Sequence, residues 1–297
     1  MNELIKITPS IEPEIKRFEK KLKLIANKDD VFLKEYLSEF LFSNPKRLRP
    51  AFIYLFSKIL DIKGEIVDKI ALSAELIHSA SLIHDDIIDE SQTRRNLPTL
   101  YGKFGSKISV LEGDFLLSSA LEVLIETNFE IIKIFSKNLK KTLLGELNQN
   151  SNLNKLQTID DYVNKTMFKT TSLFLVGLES LFSLKTIDNN IKSDLYNFME
   201  NYSIAFQIKN DINNILKCNC SDIKCGNYTL PVIYFCLDKN IEEIDINVFE
   251  REKEIYIKKA LKKVEEYKIS SINYLKDIEN STFKKELIEL SNYTLRS

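Results

Sequence analysis

A chain of 297 residues with 44% hydrophobic and 29% charged side chains has the composition of a globular protein and enough length for a sizeable core. Its 42 Lys and Arg against 43 Asp and Glu leave a net charge of -1, which excludes the broad basic footprint of a general nucleic-acid binder. Gly 7 and Pro 6 together fall under a twentieth of the chain against an average of ~12%, which argues against turn-rich β-sandwiches and Gly-rich α/β folds and favours long helices.

The N-terminal stretch MNELIKITPSIEPEIKRFEKKLK is charged throughout and lacks the apolar core of a signal segment, so a soluble, cytoplasmic protein is expected. Helical periodicity then dominates. Ser10–Ala26 carries Ile11, Ile15, Phe18, Leu22 and Ile25 at three-to-four spacing, and Val31–Phe42 repeats the pattern with Phe32, Tyr36 and Phe40. Pro45 and Pro50 bracket a basic segment, and Ala51–Leu60 reads as the next helix. Glu65–Glu90 is a long helix ending in HDDIIDE. SQTRRNLPTLYGKFG reads as a loop, with a helix from about Ser106 to Glu126 after it. Glu130–Asn148, Ile159–Leu184 and Ile191–Leu216 continue the pattern. A Cys- and Asn-rich loop leads to a helix started by Pro231, and the last fifty residues are amphipathic. The most apolar stretch, Ser172–Leu184, is short and carries Glu179, so no membrane span is expected. The expected fold is all-α, one domain over 1–297.

Three segments carry chemistry. Asp85 and Asp89, at i and i+4, share a helix face, where like charges repel. A divalent cation would reverse that cost, since Mg²⁺ takes one or two carboxylates plus substrate phosphates. A solvated acidic face reads the same spacing equally well. In Lys46-Arg47-Leu48-Arg49-Pro50, three cations in four residues would clamp an anion, or simply form a basic turn. Gln207, Asp211 and Asn214 fall on one helical face, which a polar helix end also explains.

Together these segments resemble the trans-isoprenyl diphosphate synthases, or polyprenyl synthetase family. HSASLIHDDIIDESQTRRNLPT resembles the family's first aspartate-rich motif, DDxxD, and the paired arginines after it. KRLRP, Gly113-Asp114, Gly145-Glu146 with Gln149, Lys169-Thr170, Phe206-Gln207 and Thr229-Leu230-Pro231 resemble its further signatures, in the family's order from about residue 40 to 235. The resemblance implies an isoprenoid synthase fold, a single helical bundle around a deep central cavity. It also implies homodimeric assembly and Mg²⁺-dependent condensation of isopentenyl diphosphate with an allylic diphosphate. Asp85, Asp86 and Asp89 match the first motif, and Asp85 and Asp89 would hold Mg²⁺ on the allylic diphosphate. Arg94, Lys169 and Lys217 would contact that diphosphate. Lys46, Arg49, His78 and Arg95 would bind isopentenyl diphosphate, and Thr170 and Gln207 would line the reaction centre.

The chain departs from the pattern in four places. Asn210-Asp211-Ile212-Asn213-Asn214 stands where the family's second DDxxD is expected, which leaves Asp211 as the acid available for a metal there. Asn227 stands in place of a phosphate-binding lysine, Asn44-Pro45 where Gly is usual before KRLRP, and the loop after Asn214 is short. Chain length follows from the wall below Asp85. In the family an aromatic residue four or five positions earlier stops growth, whereas this chain has Ser81, Ala80 and, deeper, Ala74. With one isoprene unit spanning about one helical turn of ~5.4 Å, these residues suggest a long product of about C35–C45, octaprenyl favoured, of the kind used as quinone side chains. Ser118 and Ser119 would widen the opposite wall. Two alternatives are a short-chain farnesyl or geranylgeranyl diphosphate synthase and a non-catalytic subunit of a heteromeric synthase. Cys218, Cys220, Cys225 and Cys236 read as free thiols rather than a zinc site.

Overall fold

The computed structural model describes residues 2–27, 34–43, 45–94, 97–217, 223 and 225–296. Phe32, Asn44, Arg95, Cys218 and Cys220 lie outside them. Thirteen α-helices account for most of the described residues. They are α1 (Asn2–Ile7), α2 (Glu12–Ala26), α3 (Lys34–Phe42), α4 (Leu48–Ile59), α5 (Glu65–Ile88), α6 (Leu100–Ile125), α7 (Phe129–Ser151), α8 (Ile159–Thr166), α9 (Ser172–Leu184), α10 (Asn189–Lys217), α11 (Leu230–Lys239), α12 (Ile246–Asn273) and α13 (Thr282–Leu295). A 3₁₀ turn at Pro9–Ile11 precedes α2, and a π-helical turn at Met167–Thr171 joins α8 to α9. Two short strands, β1 (Thr93–Arg94) and β2 (Leu97–Pro98), pair antiparallel.

The chain forms two compact units, each assembled from three stretches of sequence. The first comprises Met1–Phe135, Val176–Thr186 and Ser281–Leu287, and the second Ser136–Leu175, Ile187–Asn280 and Ile288–Ser297.

In the first unit α5 and α6 pack along their lengths. Ile70, Leu76, Ile77 and Ile83 of α5 are buried, as are Leu116, Ala120 and Leu124 of α6. Burial of each such Ile or Leu side chain contributes roughly 1.5–3 kcal/mol. Two charge networks tie the early helices to this pair. Asp68 of α5 accepts from Arg17 Nε at 2.6 Å, Arg17 Nη2 at 2.8 Å, Lys21 Nζ at 3.1 Å and Tyr54 Oη at 3.0 Å. Arg47, only 3% exposed, donates to Glu19 Oε1 at 2.6 Å, Glu75 Oε1 at 2.9 Å and the Leu41 carbonyl at 2.8 Å. It takes the left-handed conformation (φ 49°) and caps α4. That helix starts at Leu48 rather than the expected Ala51. Pro50 sits in the first turn, where a missing N–H leaves no intrahelical acceptor unpaired.

In the second unit α10 packs on α12. Phe198, Tyr202 and Phe206, spaced four apart on α10, stack at 6.3 and 5.9 Å, and Phe174 meets the last two edge-on. The run Ile159–Leu184 is one helical stretch of 26 residues. By length and composition it is long and apolar enough to cross a membrane, where Ser172–Leu184 alone is too short, because the π turn continues the helix. Of its most apolar window, 56% is buried inside the protein, as in a core helix.

Burial alone would raise the Asp68 carboxyl, but the bonds from Arg17, Lys21 and Tyr54 outweigh it and hold its pKa below the ordinary 3.8. The unfolded chain therefore binds this proton first. The stabilisation is present above pH 3.8 and is lost as pH falls through the lowered folded value. Urea unfolding of Asp68→Asn across that acid window is expected to show a shallower pH dependence than the native chain. Equal slopes would refute the assignment.

Candidate active site

Three aspartates crowd the end of α5, whose last turn holds no basic residue. The carbonyl end of a helix already carries negative charge, so each acid there is unfavourable by about 0.3–1 kcal/mol. The structure separates the three. Asp86 is buried and binds Arg94, with Nε 3.0 Å from both carboxylate oxygens and Nη2 2.9 Å from Oδ1. Burial pushes the Asp86 carboxyl up, and Arg94 opposes that rise. Asp85 is half-buried and Asp89 exposed, one turn apart.

Arg94 lies on β1, and the β1–β2 hairpin is fixed at its base. Thr99 Oγ1 donates to the Ser91 carbonyl at 2.6 Å and Thr99 N to the Gln92 carbonyl at 3.0 Å. Thr99 then caps α6 by accepting from Gly102 N at 2.8 Å. A Cβ at Gly102 would lie 2.7 Å from the Gln92 carbonyl oxygen, so glycine permits the close approach. Helix α6 begins at Leu100, earlier than expected, and breaks at Gly105 (φ 74°). The loop reading of 100–105 therefore gives way to a separate helical turn, which glycine's freedom at positive φ makes possible.

A cleft of about 700 Å³ opens beside this face of α5. His78 and Arg94 line it, together with Tyr36, Glu39 and Lys103, which the sequence reading did not single out. Lys103 Nζ lies 4.3 Å from the Tyr36 ring and 3.4 Å from Glu39. The basic KRLRP segment does not act as three equal cations. Arg47 is consumed by the core network, whereas Lys46 is exposed and Arg49 half-buried. Of the chain-length positions, Ala80 and Ala74 are packed at 0% and 2% exposure. Ala80, five positions back, is rotated about 140° from Asp85 on α5, whereas Ala74, eleven back, returns to within about 20° of it. Ser81 alone of the three stays half-exposed, its hydroxyl turned back to the His78 carbonyl at 2.8 Å. On α6, Ser118 is exposed, while Ser119 is buried and bonds the Phe115 carbonyl.

The second unit brings together Lys169, Thr170, Gln207 and Asp211. Lys169, on the π turn, forms an ion pair with Glu146 of α7. Thr170 Oγ1 donates to Gln207 Oε1 at 2.7 Å, and Gln207 Nε2 donates to Asp211 Oδ1 at 2.7 Å. Tyr162 Oη donates to Asp211 Oδ2 at 2.6 Å. Asp211 is 6% exposed, Asn210 half-buried, and Asn214 and Lys217 exposed.

The sequence profile described as Polyprenyl synthetase matches residues 30–264. The chain belongs to the polyprenyl synthetase family. It is 36% identical over 260 residues to a prenyl transferase of Cyanophora paradoxa, covering 83% of this chain and 80% of that one. It is 31% identical to solanesyl-diphosphate synthase 2 of Oryza sativa subsp. japonica chloroplasts, over 77% of this chain and 60% of the relative. The crystal structure of heptaprenyl diphosphate synthase from Staphylococcus aureus superposes with a TM-score of 0.87 at 25% identity, covering 97% of this chain and 98% of that one.

In this prenyltransferase, then, the all-α isoprenoid synthase fold is as the resemblance implies. Two of the cations assigned to diphosphate meet acids of their own unit: Arg94 meets Asp86, and Lys169 meets Glu146. Tyr162 was missed because nothing in its local sequence ties it to a residue 49 positions later. The pairing of Glu146 with Lys169 was likewise hidden, although both belonged to quoted motifs. Lys165, buried on α8, donates to Asn227 Oδ1 at 3.2 Å, so a lysine reaches residue 227 where the family's own lysine is replaced. Cys225 is exposed and Cys236 buried, both as free thiols.

The donor set at the end of α5 fits a hard cation, because it offers carboxylate oxygens without nitrogen or sulfur. Among the described residues no three His, Cys, Asp or Glu side chains form a metal cluster. A site completed by substrate phosphates needs no such cluster.

Gly145 sets the spacing between α7 and the π turn. A Cβ there would lie 2.8 Å from the Lys169 backbone nitrogen, so backbone has to move. Gly145→Ala should displace Lys169 and Thr170 and lower turnover by up to about 10²-fold, the effect of a misplacement near 1 Å. Steady-state kinetics of a variant with native circular dichroism checks it. Unchanged turnover would show that the close approach is not needed.

Proposed function

We propose that the chain condenses isopentenyl diphosphate onto an allylic diphosphate to build a long all-trans polyprenyl diphosphate of about C35–C45, with octaprenyl favoured. The observation that carries this reading is the end of α5. There Asp86 is withdrawn into a pair with Arg94, while Asp85 and Asp89 stay accessible beside a cleft lined by His78. The solanesyl and heptaprenyl relatives support a long product, as does Ser81 on the accessible face.

Asp85 and Asp89 would hold Mg²⁺, which when bound supplies charge neutralisation for a leaving diphosphate. Arg94, Lys169 and Lys217 bind the allylic diphosphate and stabilise negative charge as the C–O bond breaks. Lys46, Arg49, His78 and Arg95 orient isopentenyl diphosphate so that its double bond attacks the allylic carbon. Thr170 and Gln207 present oxygen dipoles to the allylic cation. The proton lost from the new C–C-bonded product passes to the departing diphosphate. Each group has an ordinary task in this scheme, and no nucleophilic Cys or Ser is needed.

The first test incubates the purified chain with farnesyl diphosphate, labelled isopentenyl diphosphate and Mg²⁺ and resolves the products by length. Long products that fall at least about hundredfold in Asp85→Ala are expected. Products of C15 or C20 would overturn the long-chain assignment. A folded chain that binds substrate but makes no product would favour the second reading, a non-catalytic subunit, which Asn210 and Asn214 recommend.

We also propose a homodimer. On α6 and the start of α7, Leu121, Ile125 and Phe129 are 56%, 73% and 78% exposed. An apolar series of this kind on a monomer calls for a partner. Sedimentation of the chain alone should give twice the monomer mass, and Ile125→Asp should shift it toward monomer. A monomeric native chain would refute the assembly.

A further inference from the structure

The second unit contains a polar seam that the sequence motifs did not announce. Ser203, Gln207 and Asp211 are four residues apart on α10 and so form one stripe along the helix. Each is met by a hydroxyl from the α8–π segment. Thr171 Oγ1 lies 2.7 Å from Ser203 Oγ, Thr170 Oγ1 is 2.7 Å from Gln207 Oε1, and Tyr162 Oη is 2.6 Å from Asp211 Oδ2. Ser203, Thr171 and Tyr162 are 1% exposed or less, Asp211 6% and Thr170 9%, while Gln207 is half-buried.

Its direction is fixed by chemistry. Asp211 accepts at both carboxylate oxygens, from the Tyr162 hydroxyl and from the Gln207 amide. That forces the Gln207 amide to turn its NH₂ toward Asp211, at 2.7 Å, and its Oε1 toward Thr170. Thr170 must then donate, which commits its only proton and leaves its oxygen lone pairs as the face it can offer. Tyr162 keeps its proton, since burial and the neighbouring carboxylate push its ionisation well above the usual range. The polarity of the whole seam is thus set at the Tyr162–Asp211 end and read out at Thr170.

We propose that Tyr162 is a positioning residue for prenyl transfer, acting through Asp211 and Gln207 on Thr170, and that Asp211 serves this relay instead of ligating a metal ion. The inference rests on the prenyl-transfer reading above. Its second half revises the assignment of Asp211 as a metal ligand. Both carboxylate oxygens already accept short hydrogen bonds, and the acids expected on either side of it in the motif are the amides Asn210 and Asn214. An ion at this place would meet one buried, twice-bonded carboxylate and neutral carbonyl oxygens.

The test uses the full chain, native and as Tyr162→Phe and Asp211→Asn. Kinetics with both diphosphates is paired with Mn²⁺ stoichiometry, read by electron paramagnetic resonance in the presence of a non-ionising allylic thiodiphosphate. Tyr162→Phe should lower kcat about ten- to hundredfold, the effect of one hydrogen bond to a charged group. KM for either substrate should stay within about twofold. Asp211→Asn should bind as many Mn²⁺ ions as the native chain. Native kcat in Tyr162→Phe, or a loss confined to thermal stability, would overturn the positioning role. One Mn²⁺ fewer in Asp211→Asn would overturn the relay and restore Asp211 as a ligand. A native chain without product would instead sink the prenyl-transfer reading, while the Mn²⁺ count still decides the role of Asp211.

Discussion

The pairing of Asp86 with Arg94 governs the first unit's site. Three carboxylates on the last turn of one helix, at its negative end, form an arrangement that folding alone disfavours. Burying the middle one against a guanidinium removes a third of that charge from the exposed face. The same contact fastens the hairpin that follows α5 and so sets where Arg94 stands. What remains is two acids on one side, with a coordination shell that a substrate can complete. A motif that looks like three equivalent aspartates is one buried, paired acid and two on the accessible side.

A similar economy recurs with the cations. Arg47, in the middle of KRLRP, is a buried post between α2 and α5, held by Glu19 and Glu75. Of its neighbours, Lys46 is exposed and Arg49 half-buried. Removing one partner of such a buried pair strands the other charge at a cost of about 3–5 kcal/mol. A basic run can therefore persist for two unrelated reasons at adjacent positions. Lys169 lies between these cases, paired with Glu146 yet 27% exposed at its side chain.

Much of this was legible in the sequence. The helices followed from apolar periodicity because their cores are continuous stripes: Ile11, Ile15, Phe18 and Leu22 are all buried. The first aspartate-rich motif and its arginine stood out because their spacing on one helix and the next loop is local. Three features were not legible, each for a physical reason. Gly105 breaks α6 through its own backbone conformation, which no hydrophobic pattern encodes. Ala80 and Ala74 were assigned to the wall below Asp85 because they are small, and a sequence does not tell an open wall from close packing, which small residues suit equally; both are buried. The seam from Tyr162 to Thr170 joins segments 37 to 49 residues apart, so its members look like ordinary polar residues until folding aligns them.

The π turn at Met167–Thr171 bears on how the chain can change over evolutionary time. A π turn holds one residue more than the α-helix it interrupts. Loss of a single residue between 167 and 171 would let the segment relax into regular α-helix. The widened turn absorbs the extra residue, so residues outside it would keep their faces, whereas Thr170 and Thr171, which lie within it, would lose the positions from which they meet α10. Insertions and deletions are usually tolerated in loops and excluded from helices because they shift a whole face. Here one turn of a helix takes up a residue without passing the shift on, and the hydroxyls of the seam sit on that turn. A residue lost there would leave the flanking helices facing as before and fall on the seam alone.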